Sequence, residues 1–472
     1  MQAVRTRMSW SQQEILLATG GELVAEGKKK VFGAVATDSR QVEKGSVFIA
    51  LKGERFDGHG FLKEAVRRGA ACLVVHQRAE ALLSSKVTVI QVADTLKALG
   101  DLAHCRRQII GPKVLAITGS NGKTTTKEMV TAILERASMK GEPLRGKVLK
   151  TEGNYNNLIG LPQTLLRLRE EKVAVLELGT SCPGEIKRLT QIAEPDIGLI
   201  TSVAPAHLTG LRTLKGVARE KGDLFRGMSR RGIAVVNVND KWIRRMGEEF
   251  KGKKITYGRK GEVTAEGWKN LGQAGMEFTL CIGRERKRVR LRLSGEHNLL
   301  NALGAAAMAH GLGADLEAVR GGLETVKPFP MRMSIERWKE FGLIDDTYNA
   351  NPASMEAAVK TLAAIKSVGE KIAVLGDMLE LGRQSRKHHL ELGIKVARYG
   401  IDRLYLLGQE AGQVKRGALL GGMKAKQVFI GKDHEEIAKR IRGCVASGDW
   451  LLFKGSRGMG MEKALNFFKT GD

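Results

Sequence analysis

Residues 114–130 read VLAITGSNGKTTTKEMV. A compact apolar run enters a turn carrying Gly119 and Gly122. Lys123 and Thr124 then open a helix whose Met129, Val130, Ile133 and Leu134, followed by Ala137, share one face. A strand, a glycine turn and a helix N-terminus in that order surround phosphate oxygens with backbone N–H groups. In such a loop Lys123 reaches the terminal phosphates and the Thr124 hydroxyl holds Mg²⁺. The general phosphate-loop pattern has a glycine five positions before the second glycine, and Ile117 stands there instead. Strand, turn and helix nevertheless agree, which sets a chance Gly-Lys-Thr aside.

Two further residues should emerge at the same edge. Glu177 ends the apolar run 173–176, and His207 follows the run 197–201 in SVAPAHLTG. In open α/β sheets ligands bind at the carboxyl ends of the strands. A carboxylate, an imidazole and the Thr124 hydroxyl converging there suit a magnesium site, although imidazole is an unusual magnesium ligand. Alone, His207 would read as a loop histidine. Lys221 is a sharper signal, because Leu214, Val217, Leu224, Phe225 and Met228 form a helical stripe and Lys221 lies within it. An inward lysine must snorkel, pair with an anion or change its chemistry. Desolvation favours the neutral amine, which can combine with CO₂ into a carbamate, a metal-binding anion. Lys123, His207 and Lys221 are thus the candidate catalytic groups.

The elements that would hold these residues divide into three. Residues 1–111 carry short apolar runs (47–51, 72–75) between glycine turns, the pattern of a small α/β domain. From 112 to 326, the runs 114–117, 173–178, 197–201 and 233–237 predict a buried parallel sheet. Alternation over 276–282 and 289–293 predicts antiparallel strands, and an Ala-rich helix is expected over 298–310. The stretch Lys327-Pro328-Phe329-Pro330 predicts a linker into a third domain, 327–472. There the runs 372–375, 404–407, 428–430 and 450–453 alternate with helical segments, again a doubly wound α/β pattern.

Composition limits the function class. The 472 residues are 42% hydrophobic and 27% charged, which is ordinary for a globular chain. The first residues contain no apolar run long enough for a signal peptide, and no stretch approaches a membrane span. Five scattered cysteines without CxxC spacing read as reduced thiols, so a cytoplasmic setting is expected. The net charge of +27 admits nucleic acid, an anionic substrate or solvated faces. Aromatics make up only 5%, and no basic stretch is interleaved with stacking rings, which weakens the nucleic-acid reading.

With these motifs in place, the chain resembles the Mur ligase family from end to end. The resemblance implies a small UDP-binding α/β domain, a central P-loop-type parallel-sheet ATPase domain and a C-terminal Rossmann-like α/β domain. It makes TGSNGKTT the ATP loop, with Gly119, Ser120, Asn121, Gly122, Lys123, Thr124 and Thr125 as nucleotide contacts. Glu177 and His207 fall at the family's magnesium positions, and Lys221 in REKGDLF at its carbamylated lysine. Asn298 in GEHNLLNALGAA falls at the adenine position, Arg332 in PMRMS at the phosphate-contacting arginine, and Asp346 at the ribose-contacting aspartate. On residue type alone, Asn298 reads as a helix N-cap.

Other segments imply the substrates. TDSR with VFIALKGERFDGHGF implies that Ser39, Arg40 and Lys52 lie near UDP. GNYNNLIGLPQTLL implies that Asn154, Asn156 and Asn157 face the muramoyl peptide, though such asparagine clusters otherwise mark turns. DDTYNANPASM, GDMLELG and KGSRGMGME imply a pocket for D-alanyl-D-alanine built by Tyr348, Asn349 and Asn351. The implied reaction joins D-alanyl-D-alanine to UDP-N-acetylmuramoyl-tripeptide, with ATP and Mg²⁺, through an acyl phosphate. A monomer closing about 327–330 is expected. PMRMS lacks the glycine that often precedes the arginine, and Arg219 and Glu220 precede Lys221 where relatives often have small residues. The alternatives are the tripeptide-forming ligase, a folylpolyglutamate synthetase, or a nucleic-acid-dependent NTPase.

Overall fold

The computed structural model describes residues 9–53, 56–77 and 87–471 and arranges them around three main sheets. Residues 1–8, which begin the segment read for a signal peptide, and Glu54 and Arg55 of the quoted VFIALKGERFDGHGF lie outside the described residues.

The first sheet contains β1 (Glu22–Ala25), β2 (Val35–Ala36), β3 (Val47–Ile49), β4 (Cys72–Val75) and β5 (Thr88–Gln91), in the order β1-β5-β4-β3-β2. Only β1 is antiparallel to its neighbour. Residues of β3 and β4 are buried throughout, as uninterrupted apolar runs in a parallel sheet should be. Helix α1 (Thr95–Ile110) starts where the Asp94 carboxylate accepts from the N–H groups of Leu96 and Lys97, and stops at left-handed Gly111.

The central sheet has nine strands. They are β6 (Lys113–Thr118), β7 (Val148–Lys150), β8 (Val173–Glu177), β9 (Ile197–Ile200), β10 (Ile233–Asn237), β11 (Lys253–Tyr257), β12 (Val263–Asn270), β13 (Met276–Ile282) and β14 (Glu285–Leu291). Their order is β7-β8-β6-β9-β10-β11-β12-β13-β14, parallel as far as β12 and antiparallel beyond it. Helices α2 (Lys123–Leu134), α3 (Leu214–Gly227), α4 (Glu296–Leu312) and α5 (Leu316–Thr325) pack on it. The last strand begins at Glu285, not at 289 as alternation predicted, because residues 285–288 (ERKR) are all charged and exposed. In the register, Glu177 lies opposite Ile117 and Ile200 opposite Thr118, so β8, β6 and β9 deliver their carboxyl ends to one edge.

The third sheet contains β15 (Ser334–Trp338), β16 (Phe341–Asp346), β17 (Lys371–Gly376), β18 (Arg403–Leu407), β19 (Val428–Ile430) and β20 (Trp450–Lys454), ordered β15-β16-β20-β17-β18-β19. All but β15 run parallel. Helix α6 (Pro352–Ala363) follows β16. One apolar cluster crosses units, since Leu208, Leu211 and Val217 of the central unit are buried with Met355, Met378 and Leu381 of the third. The first unit meets the central one where the Gln163 amide donates to the Thr37 hydroxyl at 2.7 Å.

Candidate active site

The phosphate loop is folded by its glycines. Gly119 (φ 149°) and Gly122 (φ 82°) occupy conformations that other residues rarely adopt, and added Cβ atoms would lie 1.8 Å from Thr201 Oγ1 and 2.3 Å from Asn301 Oδ1. The Thr201 hydroxyl donates to the Asn121 carbonyl at 2.5 Å, and the Ser120 hydroxyl to the Ala204 carbonyl at 2.9 Å, pinning the loop to the segment after β9. No side chain caps α2, so its first N–H groups are free of an internal acceptor. The Lys123 ammonium donates to the Gly119 carbonyl at 2.8 Å. Burial lowers its pKa, with Glu177 opposing the shift and Arg332 adding to it.

Glu177 meets this loop from β8. Its carboxylate accepts from the Thr124 hydroxyl (2.8 Å) and from the Asn156 amide (2.8 Å), and the residue is buried. His207 caps a short helix in a left-handed conformation (φ 54°), and its Nδ1 lies 2.5 Å from Glu380 Oε2 of the third unit. Lys221 is 2% exposed on α3, as its place in the apolar stripe predicts. Its pKa is pushed well down by burial and then by Lys123, with Glu220 opposing. Glu220 instead accepts from Gly184 N, Ile186 N and the Thr180 hydroxyl. Among the described residues no group of three or more His, Cys, Asp or Glu side chains is placed to hold a metal. The Thr124–Glu177 oxygen pair beside a phosphate loop still fits Mg²⁺, which takes few protein ligands and completes its shell with phosphate and water.

The third unit closes the other side. A cleft of about 600 Å³ is lined jointly by Ser120–Thr125, Glu177, His207, Asn298, Arg332, Asp346 and residues 348–351. Arg332 stacks on Tyr348, 3.7 Å from the ring centre. It is flanked by Met331 (φ 61°) and Met333 (φ 52°), so the strained backbone of the linker follows the Pro-containing stretch rather than lying in it. Asp346 forms a 2.6 Å ion pair with buried Lys454 and accepts from Met333 N. Asn298 donates to the Ser294 carbonyl and accepts from Asn301.

Asn154, Asn156 and Asn157 line the same cleft. Asn157 also accepts from Ile159 N and Gly160 N, the turn role that its residue type suggested. Asn351 caps α6 in a box with Ser354, and its amide donates to Asn121 Oδ1 at 2.7 Å while Asn121 returns a 3.3 Å bond. Asn349 accepts from Ala350 N and holds Lys454 through its carbonyl. Ser39, Arg40 and Lys52 do not line this cleft. Ser39 is buried and donates to Glu64, Arg40 pairs with Asp38 at 2.7 Å, and Lys52 is exposed. All five cysteines are free.

Several cleft groups escaped the sequence reading. Lys454 stood in the quoted KGSRG segment as an ordinary strand end, and only its distant partner Asp346 gives it meaning. His297, with its pKa lowered by burial, and Asn301 sit beside Asn298 in GEHNLLN, where helical spacing could have flagged them. Glu380, the partner of His207, lies in the quoted GDMLELG with no local signal of that contact.

The arrangement is that of a nucleotide-dependent ligase with a phosphate loop covered by the third unit. Three family descriptions match in sequence: "Mur ligase family, catalytic domain" over residues 32–107, "Mur ligase middle domain" over 117–309, and "Mur ligase, glutamate ligase domain" over 331–457. The chain belongs to the Mur ligase family. It is 37% identical over 453 residues to the UDP-N-acetylmuramoyl-tripeptide--D-alanyl-D-alanine ligase of Escherichia coli, covering 94% of this chain and 95% of that one. A MurF crystal structure from Acinetobacter baumannii superposes with a TM-score of 0.89 at 34% identity, covering 98% and 99%. A MurF ligase from Thermotoga maritima, solved in complex with ADP, gives 0.82 at 29% identity, covering 92% and 97%.

Proposed function

We propose that this protein joins D-alanyl-D-alanine to UDP-N-acetylmuramoyl-tripeptide at the expense of ATP, releasing ADP and phosphate. The observation that carries the reading is the cleft itself, where the phosphate loop and the Tyr348–Asn349–Asn351 segment face one space. A phosphorylated carboxylate formed on the central unit would therefore meet an amine brought by the third. End-to-end similarity to ligases of that name supports this over the other members of the superfamily.

In the first step a terminal carboxylate oxygen of the tripeptide attacks the γ-phosphorus, and the bond to ADP breaks. Lys123 swings from the Gly119 carbonyl to the β- and γ-phosphates, and the open N–H groups of α2 take the remaining oxygens. In the second step the dipeptide amine attacks the acyl carbon, loses a proton and expels phosphate. Lys123 and the loop N–H groups offset the negative charge of the tetrahedral intermediate. Thr124, Glu177 and His207 would hold Mg²⁺, which neutralises phosphate charge when bound. Asn156 fixes the Glu177 carboxylate and Glu380 fixes the His207 ring. Lys221, whose pKa burial pushes well down, would take up CO₂ as a carbamate with loss of a proton, an anion able to serve the same cation.

Asn298, Asp346 and Arg332 are assigned to the adenine, ribose and phosphates of ATP. Asn154, Asn156 and Asn157 are assigned to the muramoyl peptide, and Ser39, Arg40 and Lys52 to its UDP end. We expect the reaction to run in the cytoplasm; among the described residues no helix is long and apolar enough to cross a membrane. We expect it to act as a monomer on three domains, 1–111, 112–326 and 327–472. Phosphate release from ATP with the UDP-tripeptide, with and without D-alanyl-D-alanine, tests the assignment. Release needing both substrates, with a pentapeptide product by mass, is expected. Release with folate and glutamate, or only in the presence of nucleic acid, would overturn it.

A further inference from the structure

The charge of +27 is not spent in the cleft alone. From the turn before β14 to just beyond the strand every second residue is an arginine: Arg284 in the turn, then Arg286, Arg288, Arg290 and Arg292, all exposed. Residues two apart share one face of a strand. The opposite face carries Val289 and Leu291, which are fully buried in the central core against α5. The ladder places Arg290 opposite Glu277, which in turn faces Lys269, so that lysine joins the row. Six cations there meet two carboxylates: Glu277 pairs with Arg288 at 2.5 Å and Glu266 loosely with Arg286 at 3.8 Å. Among the described residues Arg284, Arg290 and Arg292 form no salt bridge.

Two large apolar side chains are exposed on the segment that carries Lys269. Trp268 is 41% and Leu271 39% exposed, at the end of β12 where its register shifts between Glu266 and Lys269. The loop after Leu271 returns to the backbone end of β14, since a Cβ at Gly275 would lie 2.7 Å from the Arg292 Cα. Charged side chains blunt an edge strand against aggregation, and here five arginines follow one another at every second position along an edge strand. A single-stranded nucleic acid would call for several stacking rings, and Trp268 is the one exposed aromatic ring on these three strands.

We propose that the outer face of β12–β14 docks on an anionic lipid bilayer. The arginine row attracts acidic headgroups, and Trp268 and Leu271 enter the interface. Contact of this kind is peripheral and weakens as salt screens the charges.

Co-sedimentation of the full chain with vesicles tests this. Binding to phosphatidylcholine vesicles containing phosphatidylglycerol, none to phosphatidylcholine alone, and release by salt are expected. The variant Arg284→Glu/Arg290→Glu/Arg292→Glu should bind roughly tenfold or more weakly, with an unchanged melting temperature. Arg284→Lys/Arg290→Lys/Arg292→Lys, which keeps the charge, should bind as the parent does. Trp268→Ala should weaken binding without changing its salt dependence. Absence of phosphatidylglycerol-dependent binding, equal binding by the glutamate variant, or displacement of the vesicles by single-stranded RNA would each overturn the proposal.

Discussion

A lysine fixed in an apolar layer responds to protons in a way that solution chemistry can read. Lys221 has its pKa lowered by burial, so the unfolded chain binds that proton more readily than the folded one. In CO₂-free buffer its contribution to stability is therefore present at alkaline pH and is lost as pH falls below the ordinary lysine range. Lys221→Met should remove that slope and raise the urea midpoint at neutral pH, yet lower turnover about 10²-fold or more. With ¹³C-bicarbonate, a carbamate carbon signal is expected in the parent and not in Lys221→Met. Equal signals in both, or normal turnover of the variant, would end the carbamate reading. Lys123→Met should lose about 10²–10³-fold in phosphate release while folding normally. The inward direction of Lys221 was legible because its neighbours at minus four and plus three are apolar. The inward direction of Lys454 was not, because the group that makes it tolerable is Asp346, more than a hundred residues away.

At the scale of elements, α2 and α6 start against one another. Asn121 lies just ahead of α2, Asn351 is the N-cap of α6, and their amides exchange two hydrogen bonds. Asn351→Ala should cost about 1 kcal/mol as a lost cap. A double-mutant cycle with Asn121→Ala should show a coupling of about 0.5–1.5 kcal/mol by urea unfolding. Additive effects would mean that the bridge contributes nothing. Gly122→Ala should cost more stability than either, since its Cβ meets Asn301 at a positive φ, and should also impair nucleotide binding. The parallel strands β6, β8, β9 and β10 could be read from their apolar runs, since burial on both faces leaves little room for polar residues, whereas β11, with Lys253 and Lys254 exposed, could not. Strand β14 could only be half read, because its outer face is all charge, and the β15–β16 hairpin has too few buried positions to leave a pattern.

For the molecule as a whole, the contact between the central and third units is both apolar and polar. Leu208, Leu211 and Val217 are buried with third-unit side chains, while His207–Glu380 and Asn121–Asn351 bridge the rim. The linker carries two non-glycine residues in left-handed conformations, Met331 and Met333, a strain that the contact must hold in place. We expect small-angle scattering to report a smaller radius of gyration when ATP and the UDP-tripeptide are both present. Glu380→Ala should reduce that change, and curves unaltered by either ligand would contradict it. No pattern in the chain announced this disposition. A Pro-containing stretch marks a hinge but says nothing of where the hinge brings its ends.

The bond between Asn121 and Asn351 has a temporal side. The phosphate loop is bonded to the unit that covers it, and we expect spent nucleotide to leave only after that unit lifts. Turnover would then be paced by a movement through solvent, slowing in proportion to viscosity in glycerol or sucrose, while Asn121→Ala would release its product sooner and lose that dependence.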